Sequence, residues 1–279
     1  MTRSKMWALA GAAGALALVL SACTGSATPG DTAGGAGQKI KIGIKFDQPG
    51  LGLQEGNTFT GFDVEVAKFV AGEMGYAANQ IEFVESQSAQ RETMIQAEQV
   101  KLIFATYSIT DSRKEKVSFG GPYFIAGQDL LVRADDTSIT GPATLEGKRL
   151  CSVTGSTPAQ KIKADYPGVE LVEYGTYSMC VSALESNGVD AVTTDNVILA
   201  GFAAQPQYAG KLRVIGEPFT EERYGVGLKK GDIETCTKVN DAITKMVETG
   251  AWKKALADTV GKSGFEPDDR NPPTPDACS

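Results

Sequence analysis

The chain has 279 residues, 27 Lys and Arg against 34 Asp and Glu, and a net charge of −7 at pH 7. That acidic balance argues against a nucleic-acid partner. The sequence contains no histidine, which excludes Ser/His/Asp and Cys/His catalysis and any histidine-based metal site, and no residue pattern calls for a cofactor.

The N-terminus reads as a targeting segment. Arg3 and Lys5 precede an apolar run over 7–20 that is short for a membrane span and suits a signal peptide. Leu20-Ser21-Ala22-Cys23 follows. It resembles the lipobox of bacterial lipoproteins, in which cleavage falls before the cysteine and the thiol is lipidated. The alternative is an ordinary signal peptide with a chance cysteine. Cleavage there removes Arg3 and Lys5, leaving a charge of −9. Residues 24–38, TGSATPGDTAGGAGQ, lack apolar periodicity and read as a flexible tether. About 15 such residues reach roughly 20 Å. The folded part is expected from Lys39, anchored outside the membrane.

Roughly 240 residues then suffice for one large domain or two ordinary ones. Strands are predicted over 41–44, 81–84 and 101–105, with helices over 62–75 and 88–98 between them. In the first helix Phe62, Val66, Phe69, Val70 and Met74 share a face and Gly75 ends it. Ser86 or Ser88 is the expected cap of the second. This β-α-β-α-β order predicts a parallel α/β layer. A second block repeats the theme. Strands are predicted over 149–153, 170–174, 189–193 and 212–215, a helix opens at Gly155-Ser156-Thr157, and helices run over 178–186 and 196–204. A strand over 224–228 and helices over 233–248 and 251–260 would return to the first block. The prediction is an α/β protein of two lobes: 39–129 plus 223–279, and 130–222. Two crossings, near 128–133 and 217–225, would form a hinge.

Cys151, Cys180, Cys236 and Cys278 are even in number in an oxidising compartment. Of three possible pairings, Cys151–Cys180 and Cys236–Cys278 are favoured, because each pair lies within one expected lobe.

Open α/β sheets bind ligands at the carboxyl ends of their strands. Three groups fall there. After the apolar strand 102–105 come Thr106, Ser108 and Arg113, hydroxyls and a guanidinium fork suited to a carboxylate; a solvated basic turn with Lys114 and Lys116 is the alternative for Arg113. Asp195 follows a strand and precedes a helix, as a counter-ion for an ammonium, an N-cap, or both. The helix start at 156–157 favours an anion. Lys45 ends the first strand, and Ser88 and Arg91 are neighbours at a helix start. They suit a second carboxylate, against an exposed helix charge for Arg91.

Four stretches carry a family resemblance: GFDVEVAKFVAGEMG (61–75), ATYSITDSRKEKVSFGGPYFIAGQDLLV (105–132), VTGST (153–157) and AVTTDN (191–196). Over about 40–260 the chain resembles the family 3 extracellular solute-binding proteins, which serve bacterial ABC importers of polar amino acids. The resemblance implies a type II periplasmic-binding-protein-like fold with a two-strand hinge, closing on one amino acid without chemical change. It implies that Thr106, Ser108, Arg113 and the Thr157 amide hold the α-carboxylate and Asp195 the α-ammonium. SAQRETM (88–94) is similar to the acidic-ligand branch, in which the serine and arginine grip a side-chain carboxylate; Lys45 fits that role and Phe46 the place of a stacking aromatic. KIGIKFDQPG (41–50) and CSVTGSTPAQ (151–160) are similar to glutamate-binding lipoproteins of high-GC Gram-positive bacteria. L-Glutamate is the expected ligand, with aspartate and glutamine left open. Expected partners are a permease and its ATPase, the expected state a monomer. A sensor for a membrane kinase and a dehydratase-like enzyme on the same fold are the alternatives. Two residues depart from the family pattern: Lys101, where an acidic residue is usual and solvent exposure is expected, and Thr194, where some relatives touch the ligand side chain.

Overall fold

The structure is a computed structural model that describes residues 37–279. The signal segment, Cys23 and all but the end of the tether lie outside the described residues. Among the described residues no helix is long and apolar enough to cross a membrane.

The first half of the chain contains β1 (Ile40–Ile44), β2 (Asp47–Gln48), β3 (Gly52–Glu55), β4 (Thr58–Thr60), α1 (Phe62–Glu73), β5 (Ile81–Glu85), α2 (Arg91–Gln96), β6 (Leu102–Phe104), α3 (Asp111–Lys114) and β7 (Ser118–Ala126). The second block holds β8 (Gln128–Arg133), β9 (Arg149–Val153), α4 (Thr157–Asp165), β10 (Glu170–Tyr174), α5 (Tyr177–Glu185), β11 (Ala191–Asp195), α6 (Asn196–Ala203) and β12 (Leu212–Val214). The chain closes with β13 (Glu222–Leu228), α7 (Ile233–Glu248) and α8 (Ala251–Asp258).

Two five-stranded sheets share one plan. The first runs β5-β1-β6-β13-β7 and the second β10-β9-β11-β8-β12. In each, three parallel strands are joined by helices, and two antiparallel strands complete the edge. The inner parallel strands β1, β6, β9 and β11 are short, largely buried runs, as such sheets require, while the edge strands β5 and β10 are half-buried. α1 lays Phe62, Val66 and Val70 into the core. It starts at Gly61, where φ is +118° and a Cβ would meet the Leu51 carbonyl oxygen at 2.1 Å, so only glycine fits. β7 is a nine-residue strand containing Gly120-Gly121-Pro122. It lies at the sheet edge, where a proline without an N–H is tolerated.

The chain passes from the first sheet to the second at Gly127 and returns between Val214 and Glu222. Gln128 and Asp129, expected in the first lobe, pair with Asp195 and Thr194 in the second sheet, while Glu222 pairs with Ala126 in the first. Cys151–Cys180 and Cys236–Cys278 are disulfides with Cα separations of 5.5 and 5.9 Å. The first ties β9 to α5; the second ties α7 to the C-terminal tail.

Candidate functional site

Every parallel strand delivers its C-terminal end to the seam between the sheets. Lys45 follows β1, Ser88 lies in the turn after β5, and Thr106 and Ser108 follow β6. Facing them, Ser156 and Thr157 open α4 after β9, Tyr177 opens α5 after β10, and Asp195 ends β11. One small, nearly closed cavity of about 10 Å³ is lined by Ser88, Arg91, Thr106, Arg113, Thr157 and Asp195. Ser156, Pro158, Tyr177, Thr194 and Ile198 complete its wall.

The cations are buried. Arg113 is 6% exposed and Arg91 2%. Arg113 Nη1 donates to the Ser108 carbonyl at 2.8 Å, and its Nη2 crosses the seam to the Gly155 carbonyl at 3.1 Å. Thr110 caps the short helix that carries it. Arg91 Nη2 donates to the Ala105 carbonyl at 2.6 Å, and its Nε has no partner. Burial and then the charge of Arg113 lower the pKa of Arg91. Lys45 sits one step behind the cavity and donates to Ser88 Oγ at 3.1 Å. Burial, and then Arg91, push Lys45 down to about 7. Ser88 therefore serves Lys45 rather than capping a helix. The expected 88–98 helix is a short turn followed by the six residues of α2, whose N-cap position, Gln90, makes no side-chain bond. Ser86 does not cap it either; its Oγ is buried without a partner.

Thr106 is held at φ +47°, a region sparsely used by branched residues. Its N–H donates at 2.8 Å to Oδ2 of Asp63, a fully buried carboxylate in the first turn of α1 that also accepts from the Tyr123 hydroxyl at 2.8 Å. Burial raises Asp63 to about 6.

The anionic side faces these groups. Asp195 occupies the N-cap position of α6 but makes no capping bond. Its Oδ2 accepts from the Tyr224 hydroxyl of the first sheet at 2.6 Å, and its Oδ1 is buried with no partner. Burial, then the charge of Glu222, push Asp195 well above the usual carboxylate range. The Thr157 hydroxyl donates to Glu222 Oε2 at 2.8 Å and lies 3.2 Å from Ser108 Oγ, bonding first-sheet residues from the second. As the first residue of α4, its amide has no acceptor inside the helix.

Phe46 lies apart from this cavity wall: it packs on Phe59 with ring centroids 5.2 Å apart. Lys101 is exposed, as expected, and pairs with Asp232 at 2.8 Å. Thr194 is buried in the wall with an unpartnered Oγ1. The sequence reading missed Tyr177, Ile198, Glu222 and Tyr224. Tyr177 could have been found from its place at a strand-to-helix turn; nothing local marks Glu222 and Tyr224, whose positions depend on the chain returning to the first sheet.

Paired α/β lobes with complementary unpaired charges at their seam define a two-lobed ligand-binding protein. The chain belongs to the bacterial extracellular solute-binding proteins, family 3, whose model matches residues 40–261. It is 44% identical to the glutamate-binding protein GluB of Corynebacterium glutamicum, covering 97% of this chain and 95% of that protein. It is 34% identical to the glutamine-binding protein GlnH of the ABC transporter of Bacillus subtilis, over 77% and 78% of the two chains. Among solved structures, an ancestral arginine-binding protein bound to glutamine superposes with a TM-score of 0.74 at 30% identity, over 80% of this chain and 98% of that one. The relatives are solute-binding proteins, and binding without turnover is the activity they define.

Proposed function

We propose that this protein captures L-glutamate outside the cytoplasm, between its two lobes, and delivers it to the permease and ATPase of an ABC importer. The observation that carries this reading is the cavity itself. Arg91 and Arg113, with Lys45 one step behind them, lie on one side and Asp195 on the other, with Arg91 Nε and Asp195 Oδ1 both unpartnered. Buried unpaired charge is costly unless a ligand completes it. Glutamate brings two carboxylates and one ammonium, which match this charge pattern. In this reading Arg113, Thr106, Ser108 and the Thr157 amide take the α-carboxylate, Asp195 the ammonium, and Lys45, Ser88 and Arg91 the side-chain carboxylate. The name of the 44% identical relative supports the same ligand. Aspartate carries the same charges on a shorter chain; glutamine leaves Lys45 and Arg91 without an anion.

Closure uses the bonds that cross the seam. The crossings at Gly127 and over 215–221 act as the hinge, and the ligand stabilises the closed form through contacts available only there. Lipidation of Cys23 would hold the protein at the membrane.

Calorimetry with glutamate, aspartate and glutamine tests the assignment. Removing one partner of a buried charged contact costs about 2–5 kcal/mol, or roughly 30- to several-thousand-fold in affinity. Arg113→Ala abolishes tight binding of all three ligands, whereas Arg91→Ala weakens glutamate far more than glutamine. Equal losses for both ligands from Arg91→Ala would contradict it.

A further inference from the structure

We infer that Tyr107 is a positioning residue for binding: its ring holds the guanidinium groups of Arg91 and Arg113 together in the cleft, set to receive two carboxylates. The inference rests on the ligand reading above. Thr106 and Ser108 turn to the seam, while the side chain between them is fully buried beneath it, in a cluster with Ile95, Ile103 and Val117. The arrangement around the ring is what sets tyrosine apart. The Cζ atoms of Arg91 and Arg113 lie 4.8 and 5.0 Å from its centroid. The Tyr107 hydroxyl donates at 2.8 Å to Glu92 Oε1, and that same oxygen lies 3.6 Å from Arg113 Nε.

Two buried guanidiniums repel each other. Glu92 pairs with Arg113 at 3.6 Å and its charge also reaches Arg91, which rests on one backbone carbonyl with its Nε unpartnered. The electron-rich face of one ring attracts both cations without neutralising either, and the attraction is stronger in a desolvated site. Arg91 thus keeps its charge for a ligand and Arg113 shares its own between Glu92 and the cleft, at a fixed spacing. The ring is itself fixed. Phe119 meets it edge-on at 4.8 Å, and a Cβ on Gly227 would lie 2.6 Å from Tyr107 Cε1. Preorganised charges bind more tightly because the ordering is done before the ligand arrives.

The test is calorimetry on the purified protein, with thermal melts to verify folding. Tyr107→Phe keeps the ring and holds glutamate affinity within about three-fold. Tyr107→Leu lowers it about ten-fold or more, and glutamine affinity less, because only Arg113 serves both ligands. A 3,4,5-trifluorophenylalanine at position 107 keeps the shape and withdraws electrons from the ring face. It gives an affinity between those of the Phe and Leu variants, a change that core filling alone would not produce. Should the Leu variant fail to fold, the fluorinated ring decides alone. Equal affinity of the fluorinated and Phe variants overturns the inference. Intact binding in Arg113→Ala would instead overturn the ligand reading itself, so the two failures are distinguishable.

Discussion

Closure leaves no room at Gly201, and adding one methyl group there should hold the lobes apart. Gly201 lies on α6, against the backbone of Pro49 across the seam. A Cβ on it would stand 2.2 Å from the Pro49 carbonyl oxygen and 3.2 Å from the carbonyl carbon. Backbone cannot swing aside as a side-chain end can, so the seam must open by roughly 1 Å to restore normal contact. Among the bonds that span that seam are three that involve a charged side chain near the cavity: Tyr224 to Asp195 at 2.6 Å, Thr157 to Glu222 at 2.8 Å, and Arg113 to the Gly155 carbonyl at 3.1 Å. An extra ångström takes the longest to about 4 Å and the others past good geometry. Each involves a charged group, worth about 1.5–3 kcal/mol. Losing one or two costs about 1.5–6 kcal/mol, or roughly 10- to 20,000-fold in glutamate affinity. Calorimetry on Gly201→Ala reads the loss, and small-angle scattering with saturating glutamate reads the incomplete compaction. Gly141→Ala, whose added Cβ would meet nothing within 4 Å, serves as the control. Glutamate affinity within two-fold of wild type, with full compaction, would refute the reasoning.

Other consequences follow from burial and charge. Lys45 titrates near 7 in the folded protein because it is buried, and near 10.4 when unfolded. Between those values the unfolded chain binds more protons, so the ligand-free protein gains stability as pH rises, by up to roughly 1.4 kcal/mol per pH unit from this group. Urea melts from pH 7 to 10 should show that slope flattened in Lys45→Met. Asp195→Asn keeps an acceptor for Tyr224 but removes the negative charge opposite the cations; glutamate affinity should fall at least about ten-fold, and an unchanged value would place the ammonium elsewhere. Replacing Cys236 and Cys278 with serine opens a loop of sequence separation 42. The chain-entropy cost is about 4 kcal/mol, which lowers the melting temperature by roughly 10 °C.

Much of this architecture is legible along the chain. The largely apolar runs at 40–44 and 102–104 announce central strands of a parallel layer because a strand buried on both faces reads as near-continuous apolar sequence, while IEFVE at 81–85 reads as a half-buried edge strand. The polar groups just past those runs announce a site because strand ends are where such sheets leave space. The misses have physical causes. The 88–98 segment carries helical propensity, yet Ser88 is drawn to the Lys45 ammonium and the regular helix begins only at Arg91. The small sheet of β2, β3 and β4 is polar and short, without the alternation that betrays a strand. β7 hides behind Gly120-Gly121-Pro122, which reads as a turn and is tolerated only because the strand is an edge.

The amino-acid order alone determined the α/β class, the two-block plan and the residue types that meet a small anion, because strand burial, helix periodicity and charge are local properties of the chain. Tertiary structure alone decided which charges are left incomplete. Arg91 Nε and Asp195 Oδ1 lack partners, and Tyr224 and Glu222 reach across from a strand that returns late in the chain. Whether a charge is satisfied depends on what distant segments bring within about 3 Å of it, a distance that residue order does not encode.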